Sequence, residues 1–142
     1  MKYIKIIMLL SIAGLALGNC SKSPEQKVME LAPRLQLALC SKMLECGKDE
    51  IEKIPPQYRS SLPPFMQSQE ACVSYFKESF DKAREQRKER KEEVTPEMVQ
   101  SFETCVIELE KASCEPFKNG RGKRLGIPGC ENLTKIGQPE SP

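Results

Sequence analysis

The chain has no histidine and no tryptophan, and only 6% of its residues are aromatic. Without imidazole, a Ser-His-Asp or Cys-His relay has no base, and a zinc-hydrolase centre has no nitrogen ligand. No two cysteines stand at C-x-x-C spacing, which removes the thioredoxin-like redox motif and the common zinc-finger pattern. There is no GxSxG elbow, no P-loop and no GxGxxG turn. Alternating β-branched runs are also missing, so no segment reads as a strand. With few aromatics and 30% charged residues, the chain can bury only a thin apolar core. The carboxylates fall on charged helix faces and read as solvated surface. These absences lead to the expectation of a non-enzyme with no cofactor and no metal.

What is present is an odd set of cysteines: Cys20, Cys40, Cys46, Cys72, Cys105, Cys114 and Cys130. Cys20 closes a leader. Lys2 and Lys5 form a short positive region, and Ile6 to Leu17 is an apolar run interrupted only by Ser11 and Gly14. That length suits a secretory signal and is short for a bilayer span. The leader ends Leu17-Gly18-Asn19-Cys20, which resembles a bacterial lipobox: a branched apolar residue three before the cysteine, then small residues, then cysteine. Asn19 departs from the usual Gly or Ala. The resemblance implies cleavage before Cys20, diacylglycerol on its sulfur and a fatty acyl group such as palmitate on the new N-terminus. Two rivals stand beside it. Ala16-Leu17-Gly18 also permits ordinary secretory cleavage after Gly18, and an uncleaved anchor would need a longer run. If Cys20 carries lipid, six thiols remain, an even set for three disulfides in an oxidising compartment.

The expected organisation is a signal peptide over 1–19, a tether over 20–24, a helical cysteine-stapled domain over 25–136 and a flexible end over 137–142. Removing Lys2 and Lys5 from 22 basic residues leaves the body balanced against its 20 acidic ones. A nucleic-acid partner is therefore not expected.

Along the body, Ser23-Pro24-Glu25-Gln26 has the form of a helix start with a capping box. Val28, Leu31, Leu35, Leu39 and Met43 continue it at helical spacing. Pro33 is expected to kink or split this helix and Gly47 to stop it, with a short helical turn over 49–54. Pro55-Pro56 and Pro63-Pro64 mark an irregular loop from which Tyr58, Leu62, Phe65 and Met66 fold back onto the core. A second helix begins near Ser68, with Cys72, Phe76, Phe80 and Ala83 on one face. It runs into a charged stretch, 84–93, expected to be a solvated helical extension. Thr95-Pro96-Glu97 starts a third helix with Met98, Phe102, Cys105, Leu109 and Ala112 on one face, ending before Pro116. Leu125, Ile127, Leu133 and Ile136 are left to pack a short turn in an irregular tail. The fold expected is all-α: a small disulfide-stapled bundle of about three main helices with a Pro-rich loop.

Cys40, Cys46, Cys72, Cys105, Cys114 and Cys130 allow fifteen pairings, and sequence alone does not choose among them. Simple closure of neighbouring segments prefers Cys114–Cys130, Cys46–Cys72 and Cys40–Cys105. A basic cluster, Lys118, Arg121, Lys123 and Arg124, is a possible site for anionic headgroups or sulfated polysaccharide. The plain alternative is a soluble tail.

Leader, loose lipobox, small polar body and paired helical cysteines together resemble the small cysteine-containing lipoproteins of spirochaetes, particularly the leptospiral type. Only the Leu17-to-Cys20 segment acts as a specific motif. The resemblance implies a lipid-anchored envelope protein with an envelope or extracellular macromolecule as partner, and it implies no activity. Ser21 lacks the Asp that retains enteric lipoproteins at the inner membrane, which favours the outer membrane. Two other functions stand as alternatives: a periplasm-facing accessory factor for envelope assembly that holds a partner in a groove by the Pro-rich loop, and a thiol-redox enzyme.

Overall fold

The computed structural model describes residues 22–119 and 126–131. The leader, the Leu17-to-Cys20 motif, Arg121, Lys123, Arg124, Leu125, Leu133, Ile136 and the end over 137–142 lie outside the described residues. Among the described residues there are helices and no strand, as the all-α reading expects.

Helix α1 spans Pro24–Glu52. Its start is the capping box read from the sequence: the Ser23 hydroxyl accepts from the Gln26 amide at 3.2 Å, and the Gln26 side chain accepts from the Ser23 amide at 2.9 Å. Pro33 does not split the helix. Its missing N–H removes a single rung at an exposed position, while Val28 and Ala32 before it and Leu35, Gln36 and Cys40 after it are buried. Burial on both sides of the proline outweighs one lost bond. Gly47 does not stop the helix either. The chain continues to Glu52 and is halted by Pro55, and the carbonyls of Glu52 and Ile54 accept from the Arg59 guanidinium at 3.1 and 2.9 Å. Arg59 thus supplies from outside the cation that the last turn of α1 lacks.

The Pro-rich segment is more ordered than expected. It contains two single-turn helices, α2 (Pro56–Arg59) and α3 (Pro64–Gln67). In each proline pair the first residue is extended, because a residue before proline avoids the helical region. The second occupies the first helical position, where its missing N–H costs nothing. The Gln67 side chain ties the segment together by donating to the carbonyls of Ser60 and Leu62. Phe65 meets Tyr75 and Phe76 with ring centroids 5.4 and 6.4 Å apart. Leu62 and Met66 are half-buried, but Tyr58, expected to fold inward, is 60% exposed.

Helix α4 spans Gln69–Glu89 and is capped by Ser68, whose hydroxyl accepts from Ala71 at 3.1 Å. Lys91, two residues past the helix's last turn, adopts φ +55°. The Glu92 amide bonds back to the Arg87 carbonyl and the Lys91 amide to Lys88, each at 3.0 Å. This is a Schellman stop made without glycine. Helix α5 spans Pro96–Lys111 and is capped by Thr95. A short helix, α6 (Glu115–Asn119), follows it.

The bundle is organised around α1. Cys40 joins Cys72, Met29 meets Arg84 and Glu25 meets Arg87, so α4 runs antiparallel to α1. Arg34 holds Glu110 through both carboxylate oxygens, and Cys46 joins Cys114, so α5 runs parallel to α1. Packed between α1 and α5 are Val28, Ala32, Leu35, Val99, Phe102, Val106 and Leu109. Ile127 and Cys130 close this core from the tail.

All six body cysteines are paired, but not as expected. The bridges are Cys40–Cys72, Cys46–Cys114 and Cys105–Cys130. The expected set has Cys114 staple the tail and Cys46–Cys72 close the Pro-rich loop, which leaves Cys40 to join Cys105. Instead α4 starts against the middle of α1, which hands Cys72 to Cys40. The parallel α5 brings Cys114 to the far end of α1, and Cys105 is left for the returning tail. That tail lies tightly on α5: Gly129 has φ +79°, its carbonyl accepts from the Ser101 hydroxyl at 3.0 Å, and a Cβ there would stand 2.7 Å from the Cys105 amide nitrogen.

Candidate binding groove

Beyond Cys40, α1 carries Met43, Gly47 and Ile51 at four-residue spacing, so they share one face. This face lies in an open groove of about 720 Å³ between the C-terminal third of α1, helix α3 and helix α6. Its apolar lining is Met43, Leu44, Ile51, Phe65, Met66 and Phe117. All six are only half-buried. Methionine and phenylalanine together make a wall that adapts to an apolar surface, because the thioether is flexible and polarizable.

The rim is charged. Asp49, Glu50, Lys53 and Lys118 border the groove. Lys53 donates to Glu50 at 2.6 Å, and this bond holds the Lys53 ammonium above its ordinary pKa. Among the described residues the lining contains no hydroxyl, and its one cysteine, Cys46, is bridged to Cys114. The groove therefore offers apolar contact framed by charges of both signs.

A second depression, about 490 Å³, runs along α4 and is lined mostly by charged residues. Its charges are engaged with one another: Lys77 with Asp81 at 2.8 Å, Lys82 with Glu78 at 2.7 Å and Lys88 with Glu85 at 3.1 Å. Hydrogen bonds from these lysines hold Glu78, Asp81 and Glu85 below the usual carboxyl range. Of these pairs Glu85–Lys88 lies within the 84–93 stretch, where it forms the solvated face the sequence suggests. Arg84 and Arg87 differ: Arg84 is half-buried against Met29, Arg87 is 8% exposed with its guanidinium 3.8 Å from Glu25, and the Nε of each has no hydrogen-bond partner. Helix α4 also ends at Glu89, short of the expected limit of the extension.

Of the basic cluster, Lys118 is exposed on α6 and borders the groove. Arg121, Lys123 and Arg124 lie outside the described residues, as does Cys20. The sequence points to a groove only as a place by the Pro-rich loop. The spacing of Met43, Gly47 and Ile51 is its local signal, masked by the usual role of a glycine as a helix end. Among the described residues no cluster of three or more cysteine, aspartate or glutamate side chains is placed to hold a metal, and no helix is long and apolar enough to cross a membrane. Compared with protein-family models, curated proteins and solved structures, the chain matches none.

Proposed function

We propose that the protein is an exported, lipid-anchored envelope component that works by binding rather than catalysis. The observation that supports this most strongly is cysteine parity. The six body cysteines are consumed in three disulfides, and the seventh, Cys20, ends a signal-like leader in a lipobox-like motif. In this reading Cys20 carries the lipid and the disulfides form in the oxidising compartment that the leader leads to.

Helix α1 then acts as a spacer. From Pro24 to Met43 it rises about 30 Å at 1.5 Å per residue. A lipid a few residues before Pro24 would hold one end of the bundle at the membrane, and the groove would face away from it. An envelope or extracellular macromolecule with an apolar segment is the partner that the groove's lining suits. A periplasm-facing role in envelope assembly is the second reading, favoured by the position of α3, from the Pro-rich segment, as one wall of the groove.

The test is the intact mass of the mature membrane-extracted protein, alkylated with and without prior reduction. The expected product begins at Cys20, carries acyl mass and takes up six labels only after reduction. A chain beginning at Asn19 without lipid, or a seventh label placed on Cys20, would reject the reading. Protease treatment of intact cells separates a surface protein, which is degraded, from a periplasm-facing one, which is spared.

A further inference from the structure

The three disulfides occupy different surroundings. Cys40, Cys72 and Cys105 are fully enclosed and Cys130 is nearly so. Cys46 and Cys114 are half-buried, and Cys46 lines the open groove. An attacking thiolate must approach the target sulfur along the S–S axis, so access decides which bridge reacts. The three bridges also differ in what they restrain. Cys40–Cys72 fastens α4 to α1, and Cys105–Cys130 fastens the tail to α5. Cys46–Cys114 fastens the start of α6 to the end of α1, and α6 supplies Phe117 and Lys118 to the groove.

We propose that Cys46–Cys114 is an exchangeable latch on the groove, opened by a thiol donor that attacks Cys46 Sγ from the groove side. The donor thiolate bonds to Cys46 Sγ while the bond between the two Sγ atoms breaks. The electron pair leaves on Cys114, which takes a proton. A second thiol, from the same dithiol or another donor molecule, then displaces Cys46. The donor ends as a disulfide, and the protein gains two electrons and two protons. Two bridges remain, so the α1–α4–α5 bundle stays closed while α6 is released and the groove widens. The donor is either a small monothiol or a dithiol oxidoreductase. The latch operates in any compartment that supplies one, so its failure leaves the anchor reading untouched.

The experiment is a time course of the oxidised full chain with glutathione in one arm and a thioredoxin-type dithiol protein in the other, each quenched with acid, alkylated and mapped by peptide mass. Cys46 and Cys114 are expected to label about ten times sooner than the other four. At that stage far-UV circular dichroism is unchanged and amide exchange rises in residues 47–53 and 115–119. A mixed disulfide trapped on Cys46 in either arm identifies that donor class as competent. Simultaneous opening of all three bridges, earlier opening of another bridge, or a mixed disulfide on Cys114 would each overturn the proposal. The Cys46→Ser/Cys114→Ser variant is expected to keep its helical content with fast exchange at 115–119; native-like protection there would remove the latch role.

Discussion

Helices α4 and α5 both pack against α1, yet they are held by different means. Helix α5 buries Val99, Phe102, Cys105, Val106 and Leu109 along one face. Helix α4 is longer and buries only Cys72 near its start and Arg87 near its end. Phe80, half-buried against Phe102 with ring centroids 6.3 Å apart, is its main apolar link to α5. Hydrophobic burial holds α5 along its length, whereas α4 is fastened to α1 by a covalent bond near its start and buries an incompletely bonded arginine near its end. A small polar chain cannot give every helix a wide apolar stripe. Here the cross-link supports the helix with the poorer stripe.

The comparison can be tested from both sides. The largest effect is expected at the centre of the α5 face: Phe102→Ala should lower unfolding free energy by about 4 kcal/mol in urea titrations, through lost burial and the cavity left behind. Should that variant fail to fold, Phe102→Leu gives the same direction at roughly 1 kcal/mol. On the α4 side, Cys40→Ala with Cys72→Ala should cost about 2–4 kcal/mol. Amide exchange should then rise across 69–89 well before 96–111. Equal loosening of both helices would mean that α4 has apolar support beyond its bridge.

Gly129→Ala comes next, at about 2 kcal/mol, because the new Cβ meets α5 backbone and the left-handed φ penalises any side chain. Its loss should concentrate in α5, read from exchange at 101–105. Arg87→Met is expected to be neutral or to stabilise by about 1 kcal/mol, since it replaces a desolvated, incompletely bonded cation by an apolar side chain of similar length. A large loss on thermal melting would show that the Glu25 pairing holds α4 after all. The smallest effect is pH. Glu78, Asp81 and Glu85 of α4 titrate below their usual range through lysine hydrogen bonds. Their contribution is therefore present above the unfolded carboxyl value, near about 4. It disappears as pH falls through their lowered values. Exchange in α4 should rise ahead of α5 on acidification below about pH 4, and added salt should shrink the difference.

The starts of the three long helices were legible because a cap is a local event. Ser23, Ser68 and Thr95 each accept a hydrogen bond from an amide three residues on, and that geometry needs no distant neighbour. Interruptions were legible only in part. Pro33 and Gly47 carry real local penalties, but burial on α1 outweighs the first, and Arg59 and Pro55 end the helix beyond the second. The charged stretch read correctly where lysine and glutamate pair within α4. It misread Arg87, whose surroundings come from α1. The groove escaped for the same reason: its walls are far apart in sequence, and only Met43, Gly47 and Ile51 share a local spacing.

The sequence by itself determined the all-α class, the capped helix starts, the even set of body cysteines and the motif at Cys20, because each depends on composition or on residues within a turn of one another. Tertiary structure alone decided which cysteine meets which, which arginine is buried and where a groove opens. Those outcomes depend on α4 running antiparallel and α5 parallel to α1. The direction and register of packed helices are set by the summed burial of whole faces, which no short stretch of chain encodes.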